Sequence, residues 1–314
     1  MPKEINVIAL EFGGQSVKAA RVDPTGNLTG PYRFELDEKN PPTFDKFVYG
    51  FKSVVQKAKG NYDIAAVGVA CPNLYVSEKI IFHLDQKPTY GHVNGKPLRE
   101  HILEAAGCDE LFDIYDAGAA VKGELWKGDL PKKGRHTFLT LGTGLGAAFV
   151  FNGEIIKGEL GAPESGEIWD LQYNGKNLEE SAGTAKVMVR IYEGMGGTDS
   201  EIKKGNIKRL ADIARDSNSF EYYLAQNAFR EFGKSLGGAL AFACSGFKPE
   251  SFVLSGSIAK AFDLFKETTM SSYLSHAPVS GDTGPVFIQS RLIDRNGLLG
   301  AAYIAFIEMV MSIC

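Results

Sequence analysis

Residues 137–156 read TFLTLGTGLGAAFVFNGEII: an apolar run, a turn holding three glycines, a second apolar run, an Asn-Gly turn and a third short run. Residues 137–141 and 147–151 have strand character, Gly142-Thr143-Gly144-Leu145-Gly146 turns between them, and Asn152-Gly153 leads into a strand at 154–156. Asn-Gly between apolar runs is a strong hairpin signal. The same arrangement stands at the N-terminal end: a strand at 5–10, the turn Gly13-Gly14-Gln15-Ser16, a strand at 17–22, then Pro24-Thr25-Gly26-Asn27. Glycine takes positive φ without a steric penalty, so a tip made of it can bring backbone N–H groups against a phosphate. A lone glycine-rich hairpin is by default a tight turn. Two in matching context, one per half of the chain, suit a nucleotide clamped between two domains.

Two other glycine motifs fail on context. A dinucleotide fingerprint must open a helix, whereas AAFVFNGEII after GTGLG reads as strand, turn, strand. A P-loop with its lysine is absent.

Around these hairpins the pattern alternates strand and helix. A helix is expected over 43–59, with Phe44, Phe47, Val48, Phe51, Val54 and Val55 on one face, then a strand at 64–70 closed by Cys71-Pro72-Asn73. A helix at 97–106, a short strand at 111–115 and a helix at 117–125 follow, the last opening with Ala117, Gly118, Ala119 and Ala120 for a close neighbour. The second half repeats the plan. Hairpins fill 137–160, and residues 178–247 are mostly helical, with a long amphipathic helix at 220–243 whose Ser235, Gly237, Gly238 and Ala239 allow tight packing. A buried strand at 252–254 leads through Ser255-Gly256-Ser257 to a helix at 258–264, a strand at 286–289 and a C-terminal helix at 297–311. The expectation is two α/β domains with mixed sheets, residues 1–117 joined by the C-terminal helix 298–314, and residues 118–297.

Bulk properties narrow the classes. At 314 residues, 44% of them hydrophobic, the chain is long enough for two cores. A net charge of −4 argues against a nucleic-acid partner, which draws basic clusters. No run of about 18 uncharged apolar residues and no signal-peptide plan in MPKEINVIAL argue against a membrane partner and make the cytoplasm the default. Cys71, Cys108, Cys244 and Cys314 are far apart and lack CxxC spacing, so neither a structural zinc site nor a disulfide framework is expected.

Five segments, taken in order, carry a family resemblance: Glu11-Phe12-Gly13-Gly14-Gln15, Tyr115-Asp116-Ala117-Gly118-Ala119-Ala120, residues 142–146, Gly166-Glu167-Ile168-Trp169-Asp170, and Leu298-Leu299-Gly300-Ala301-Ala302. Together they resemble the ROK family of sugar kinases, within the actin/hexokinase-like (ribonuclease H-like) superfamily. The family's own patterns there are Asp-x-Gly-Gly-Thr, Asn-Asp-Ala-Asn-Ala-Ala, Gly-Thr-Gly-Ile-Gly and Gly-Glu-Ile/Leu-Gly-His. The family's zinc-binding cysteine cluster is absent, and LQYNGKNLE at 171–179 looks like the zinc-less branch that includes glucokinases using ATP or polyphosphate.

The resemblance implies a two-domain fold with duplicated hairpin-bearing mixed sheets and an interdomain cleft, and ATP-dependent phosphorylation of a hexose or hexose derivative. Asp116 becomes the catalytic base; read from its residues alone it is equally an N-cap before Ala-Gly-Ala-Ala. ATP, with polyphosphate as the alternative donor, would meet Gly13, Gly14, Gln15, Ser16, Lys18, Gly142, Thr143, Gly144 and Gly146, with Gly256 and Ser257 beside the adenosine. Glu11 stands where the family has a Mg²⁺-facing Asp, which implies a Mg²⁺ contact made through water; its extra methylene moves the carboxylate by about 1 Å in chemistry that depends on position. The sugar would meet Glu167 and Glu179, whose plainer reading is exposed loop carboxylates, together with Tyr115, Trp169 and Asp170. Tyr115, Gln15 and the Trp169-Asp170 pair also depart from the family pattern, which leaves the sugar open. Family members are often dimers, so a homodimer is consistent with the resemblance.

Two other readings compete. One is a catalytically weak sugar- or nucleotide-binding regulator on the same fold, since fold does not fix function. Family repressors carry an extra N-terminal DNA-binding domain, and an expected first strand at Ile5 leaves no room for one. The other, an actin- or chaperone-type ATPase, is disfavoured by chain length and by the stretch from Glu167 to Glu179.

Overall fold

Alternation along the first apolar run sorts its side chains onto the two faces of a sheet. In the computed structural model, which describes residues 5–13, 16–37, 40–71, 75–76, 79–80, 88–93, 95–277 and 284–313, strand β1 (Val7–Phe12) sends Ile8, Leu10 and Phe12 into one hydrophobic cluster. Pro72 and Asn73, expected in a turn, and Cys314 lie outside the described residues. Two compact units emerge: Met1–Gly128 with Arg295–Cys314, and Asp129–Asp294.

The first unit is built on a five-stranded sheet. After β1 come β2 (Ser16–Val22), β3 (Leu28–Glu35), helix α1 (Phe44–Lys59), β4 (Ala66–Cys71), the short strands β5 (Tyr75–Val76) and β6 (Lys79–Ile80), and a 3-10 turn at Pro88–Val93. Then follow α2 (Leu98–Ala106), β7 (Leu111–Tyr115) and α3 (Asp116–Lys127). The sheet order is β3-β2-β1-β4-β7, antiparallel through the hairpins and parallel from β1 to β7. Helix α1 forms because Phe47, Phe51, Val54, Val55 and Ala58 recur at helical spacing and are buried, while Asp45 at its start and Lys57 and Lys59 at its end suit the helix dipole.

The second unit repeats the plan with β8 (Arg135–Leu141), β9 (Leu145–Phe151), β10 (Glu154–Ile156), β11 (Gln172–Tyr173) and β12 (Lys176–Asn177). Helices α4 (Leu178–Ser181), α5 (Ala185–Gly194), α6 (Ser200–Lys203), α7 (Ile207–Arg215) and α8 (Tyr222–Ala243) follow. The unit closes with β13 (Ser251–Ser255), a 3-10 segment at Ile258–Leu264, α9 (Lys266–His276) and β14 (Val286–Gln289). Its sheet order, β10-β9-β8-β13-β14, reproduces the first strand for strand and sense for sense. The chain then re-enters the first unit as α10 (Asn296–Ile313), where a Cβ placed on Gly68 would stand 1.9 Å from the Ala301 carbonyl oxygen.

Two elements differ from the sequence expectation. The helix expected over 258–264 is a 3-10 segment broken at Ala261, whose φ of −109° and ψ of 22° leave the helical region. Residues 266–276, given no assignment from sequence, form α9: Thr269 and Tyr273 supply its buried face, and glycines of α8 let a nearly polar helix approach, Gly237 meeting the Thr269 carbonyl. Among the described residues no helix is long and apolar enough to cross a membrane.

Candidate active site

The first unit carries Glu11, Gly13, Ser16, Lys18, Tyr115 and Asp116; Gly14 and Gln15 lie outside the described residues. At the β1–β2 tip, the Gly13 N–H donates to the Ser16 carbonyl at 2.9 Å. The Gly13 carbonyl accepts from the Tyr90 hydroxyl at 2.6 Å. Tyr90 is fully buried, edge-on to Phe12 and Phe47, and burial, with the Glu11 carboxylate nearby, pushes its phenol far above the ordinary value, so it remains a donor. Sequence reasoning missed Tyr90, which stands 77 residues from the glycine it holds.

Glu11 and Lys18 face each other across β1 and β2, and their side chains form an ion pair at 2.9 Å. Both side chains are largely sheltered, 20% and 14% exposed, and the Glu11 carboxylate also lies against Gly297 at the start of α10. An ammonium this close neutralises the carboxylate that the resemblance aims at Mg²⁺. Among the described residues, moreover, no group of three or more His, Cys, Asp or Glu side chains is set to hold a metal ion. Mg²⁺ is ordinarily held by one or two carboxylates together with substrate phosphates and waters, so Glu11 would meet such an ion with its charge already shared with Lys18.

Asp116 is exposed at the first position of α3, not at its N-cap. Tyr115 occupies the cap position and makes no side-chain cap bond, and Asp116 Oδ1 accepts from the Ala117 N–H at 2.8 Å. The negative carboxylate is thus held at the positive end of the helix. The Tyr115 ring folds back onto Gly118, where a Cβ would stand 2.6 Å from it. Behind Asp116, Cys71 lies beside Tyr115 in the β4–β7 register, and burial, with Asp113 and Asp116 nearby, pushes its thiol up to about 12.

The second unit brings the rest together. Gly142, Thr143 and Gly144 form the β8–β9 tip, where the Gly142 N–H turns inward to the Gly144 carbonyl at 3.1 Å; Gly146, expected in the turn, already lies in β9 opposite Thr140, because the hairpin ladder extends to the Leu141–Leu145 pair. The amides of Thr143 and Gly144 make no backbone hydrogen bond among the described residues. Gly256 has φ of +90° and presses on Leu141, where a Cβ would stand 2.4 Å from the carbonyl oxygen, so only glycine fits. That approach sets Ser257 beside Gly142, its Oγ 3.7 Å from where a Cβ on that glycine would lie.

Glu179, on the short helix α4, reaches the same tip: its Oε2 accepts from the Leu145 N–H at 2.9 Å. Glu167 follows the turn at Ser165-Gly166, and its Oε2 accepts from the Ala147 N–H at 2.8 Å. The two carboxylates are half-buried and structurally engaged, unlike the exposed loop groups of the plainer reading. The Glu179 N–H donates to the Trp169 carbonyl at 3.1 Å, which puts Trp169 (38% exposed) and the exposed Asp170 next to it.

The ROK family model matches residues 7–307. The chain belongs to the ROK family. The resemblance read from the five segments is borne out. A glucokinase of Streptomyces coelicolor is 25% identical over 322 residues, covering 95% of this chain and 96% of that relative. The solved ROK family glucokinase of Streptomyces griseus, in complex with glucose and AMPPNP, superposes with a TM-score of 0.74 at 21% identity, covering 95% and 98% of the two chains. A solved ROK family transcriptional regulator, a homolog of the E. coli MLC protein, superposes at 0.71 with 20% identity, covering 96% of this chain and 78% of that one. These structural likenesses bear out the expected fold, the actin/hexokinase-like α/β arrangement with two mixed sheets.

Proposed function

We propose that the protein transfers the γ-phosphoryl group of ATP to a hydroxyl of a hexose or hexose derivative. The observation that carries this reading is Asp116: an exposed carboxylate with one oxygen tied to the Ala117 N–H and the other, without a hydrogen bond among the described residues, left to a substrate proton. The attacking sugar oxygen forms the new bond to phosphorus while the bond to the β–γ bridging oxygen breaks. The hydroxyl proton passes to Asp116, and ADP leaves with the electron pair. The Thr143 and Gly144 amides meet the phosphates, and Gly256 and Ser257 lie along the nucleoside. Glu167, Glu179 and Asp170 accept from sugar hydroxyls beside the Trp169 ring. Little covalent chemistry is asked of the protein, so its contribution is position and charge.

A second reading, a sugar-responsive regulator with weak or no turnover, is favoured by the Glu11–Lys18 pair and by Tyr115 folded over Gly118 where the family pattern has Asn. A coupled ADP-release assay with Mg·ATP over hexoses and N-acetylhexosamines separates the two, with a parallel sugar-phosphate assay on polyphosphate. Turnover with one sugar supports the kinase. Binding of sugar by calorimetry with no turnover on any donor would overturn it in favour of the regulator.

A further inference from the structure

Strand β9 is longer than the strand that covers its outer edge. β10 pairs only with Phe149–Phe151, whereas β8 pairs along the other edge as far as Leu145. At residues 145 and 147 the outer edge has no strand neighbour among the described residues. Yet both residues are buried, and a buried N–H must find a partner. The partners are not backbone carbonyls but two carboxylates, Glu179 on Leu145 and Glu167 on Ala147, reaching in from 34 and 20 residues away. Leu145 and Ala147 are two apart, so their N–H groups point to the same side of the strand.

The same group of residues holds the glycine turn at further points. The Gly142 carbonyl accepts from the Ala185 N–H at 2.8 Å, at the start of α5. The cap of that helix, Thr184, donates from Oγ1 to the Glu179 carbonyl at 3.4 Å. Gly144 lies against Glu179, where a Cβ would stand 2.9 Å from Oε2. The tip that offers the Thr143 and Gly144 amides therefore lies against Glu179, with Glu167 two residues further along β9, both carboxylates assigned above to the sugar.

We infer that Glu179 and Glu167, by holding the start of β9, are positioning residues for the 142–144 turn assigned above to phosphate, and that through them sugar occupancy and donor affinity are coupled within the second unit. The inference rests on the kinase reading for the sugar, but the tether itself does not. A carboxylate accepts at both oxygens, so one oxygen can hold β9 while the side chain also meets a sugar hydroxyl. A sugar that fixes these side chains restricts the turn they hold, and donor binding then has less ordering left to do. Linkage makes the effect reciprocal: the donor tightens the sugar by the same factor.

The test reads nucleotide affinity in the absence of any sugar, which a residue that only contacts sugar does not move. Calorimetry with AMPPNP compares the full-length protein with Glu179→Ala and Glu179→Gln, each first checked for a native circular dichroism spectrum. We expect Glu179→Ala to weaken AMPPNP by about tenfold, the scale of one lost hydrogen bond to a charged acceptor. Glu179→Gln, whose amide oxygen still accepts from Leu145, recovers most of that loss. Saturating D-glucose tightens AMPPNP several-fold in the wild type and leaves Glu179→Ala unchanged.

A folded Glu179→Ala protein that binds AMPPNP like the wild type overturns the inference. Site-resolved amide exchange gives a readout independent of either ligand: Leu145 exchanges faster in Glu179→Ala and Ala147 faster in Glu167→Ala. Equal exchange in variants and wild type overturns the tether. Selective exchange in a protein that binds no hexose and no N-acetylhexosamine upholds the tether and overturns both the coupling and the kinase reading.

Discussion

Asp116 sits where a side chain can serve either a helix or a substrate, and its position in α3 separates the two roles. As first helical residue it cannot cap the helix in the usual way, and its bond to the adjacent Ala117 N–H leaves the group exposed. Asp116→Asn keeps the shape and removes the base, so turnover with the cognate sugar should fall by about 10²–10⁴-fold. Sugar affinity by calorimetry should stay within a few-fold; unchanged turnover would remove Asp116 from the role. Glu11 and Lys18 teach a different lesson. Their pairing was within reach of sequence reasoning, because the turn closed by Gly13 and Ser16 sets Phe12 opposite Val17 and therefore Glu11 opposite Lys18. Tyr90 had no such signal, since nothing local ties a buried phenol to a glycine carbonyl 77 residues away.

At the scale of elements, the small residues expected to admit a close neighbour do so backbone to backbone. A Cβ on Gly300 of α10 would stand 1.7 Å from the Ala119 carbonyl oxygen of α3, and one on Gly123 2.1 Å from the Asn296 carbonyl oxygen. Rigid backbone cannot yield as a side-chain tip can, and overpacking of this kind costs about 1–3 kcal/mol or more. Gly300→Val should therefore lower the urea midpoint markedly at 25 °C; an unchanged midpoint would mean that α3 and α10 do not pack this closely. Strands and long helices were legible because their patterns are periodic and local. Helix α9 was not, because KETTMSSYLSH carries no apolar stripe and its burial depends on the glycines of α8. The 3-10 segment at Ile258–Leu264 was misread for a related reason: Ile258, Ala259, Ala261 and Phe262 are buried in a pattern that either helix type satisfies.

At the scale of the molecule, each unit encloses its own core and each core holds a thiol pushed up to about 12, Cys71 in the first and Cys244 in the second, chiefly by burial. An unfolded chain releases these protons near the ordinary value of 9.0, while the native chain keeps them. Stability from this source is complete below about pH 9 and declines as pH rises towards about 12. Denaturant midpoints measured from pH 8 to 11 should fall more steeply for the wild type than for a Cys71→Ala, Cys244→Ala variant; equal slopes would show that burial does not hold the thiols protonated.

The duplicated hairpins, the mixed sheets and membership of the ROK family could all be read along the chain. Each rests on local rules: alternation along a strand, glycine where φ is positive, and short motifs in a fixed order. Which groups meet beyond a single hairpin did not follow from those rules. The Glu179 carboxylate on the Leu145 amide, Tyr90 on Gly13 and Gly300 on Ala119 join residues far apart in sequence. Such contacts arise only once the chain has crossed itself, because a hydrogen bond needs its atoms within about 3 Å and no pattern along the chain encodes that distance.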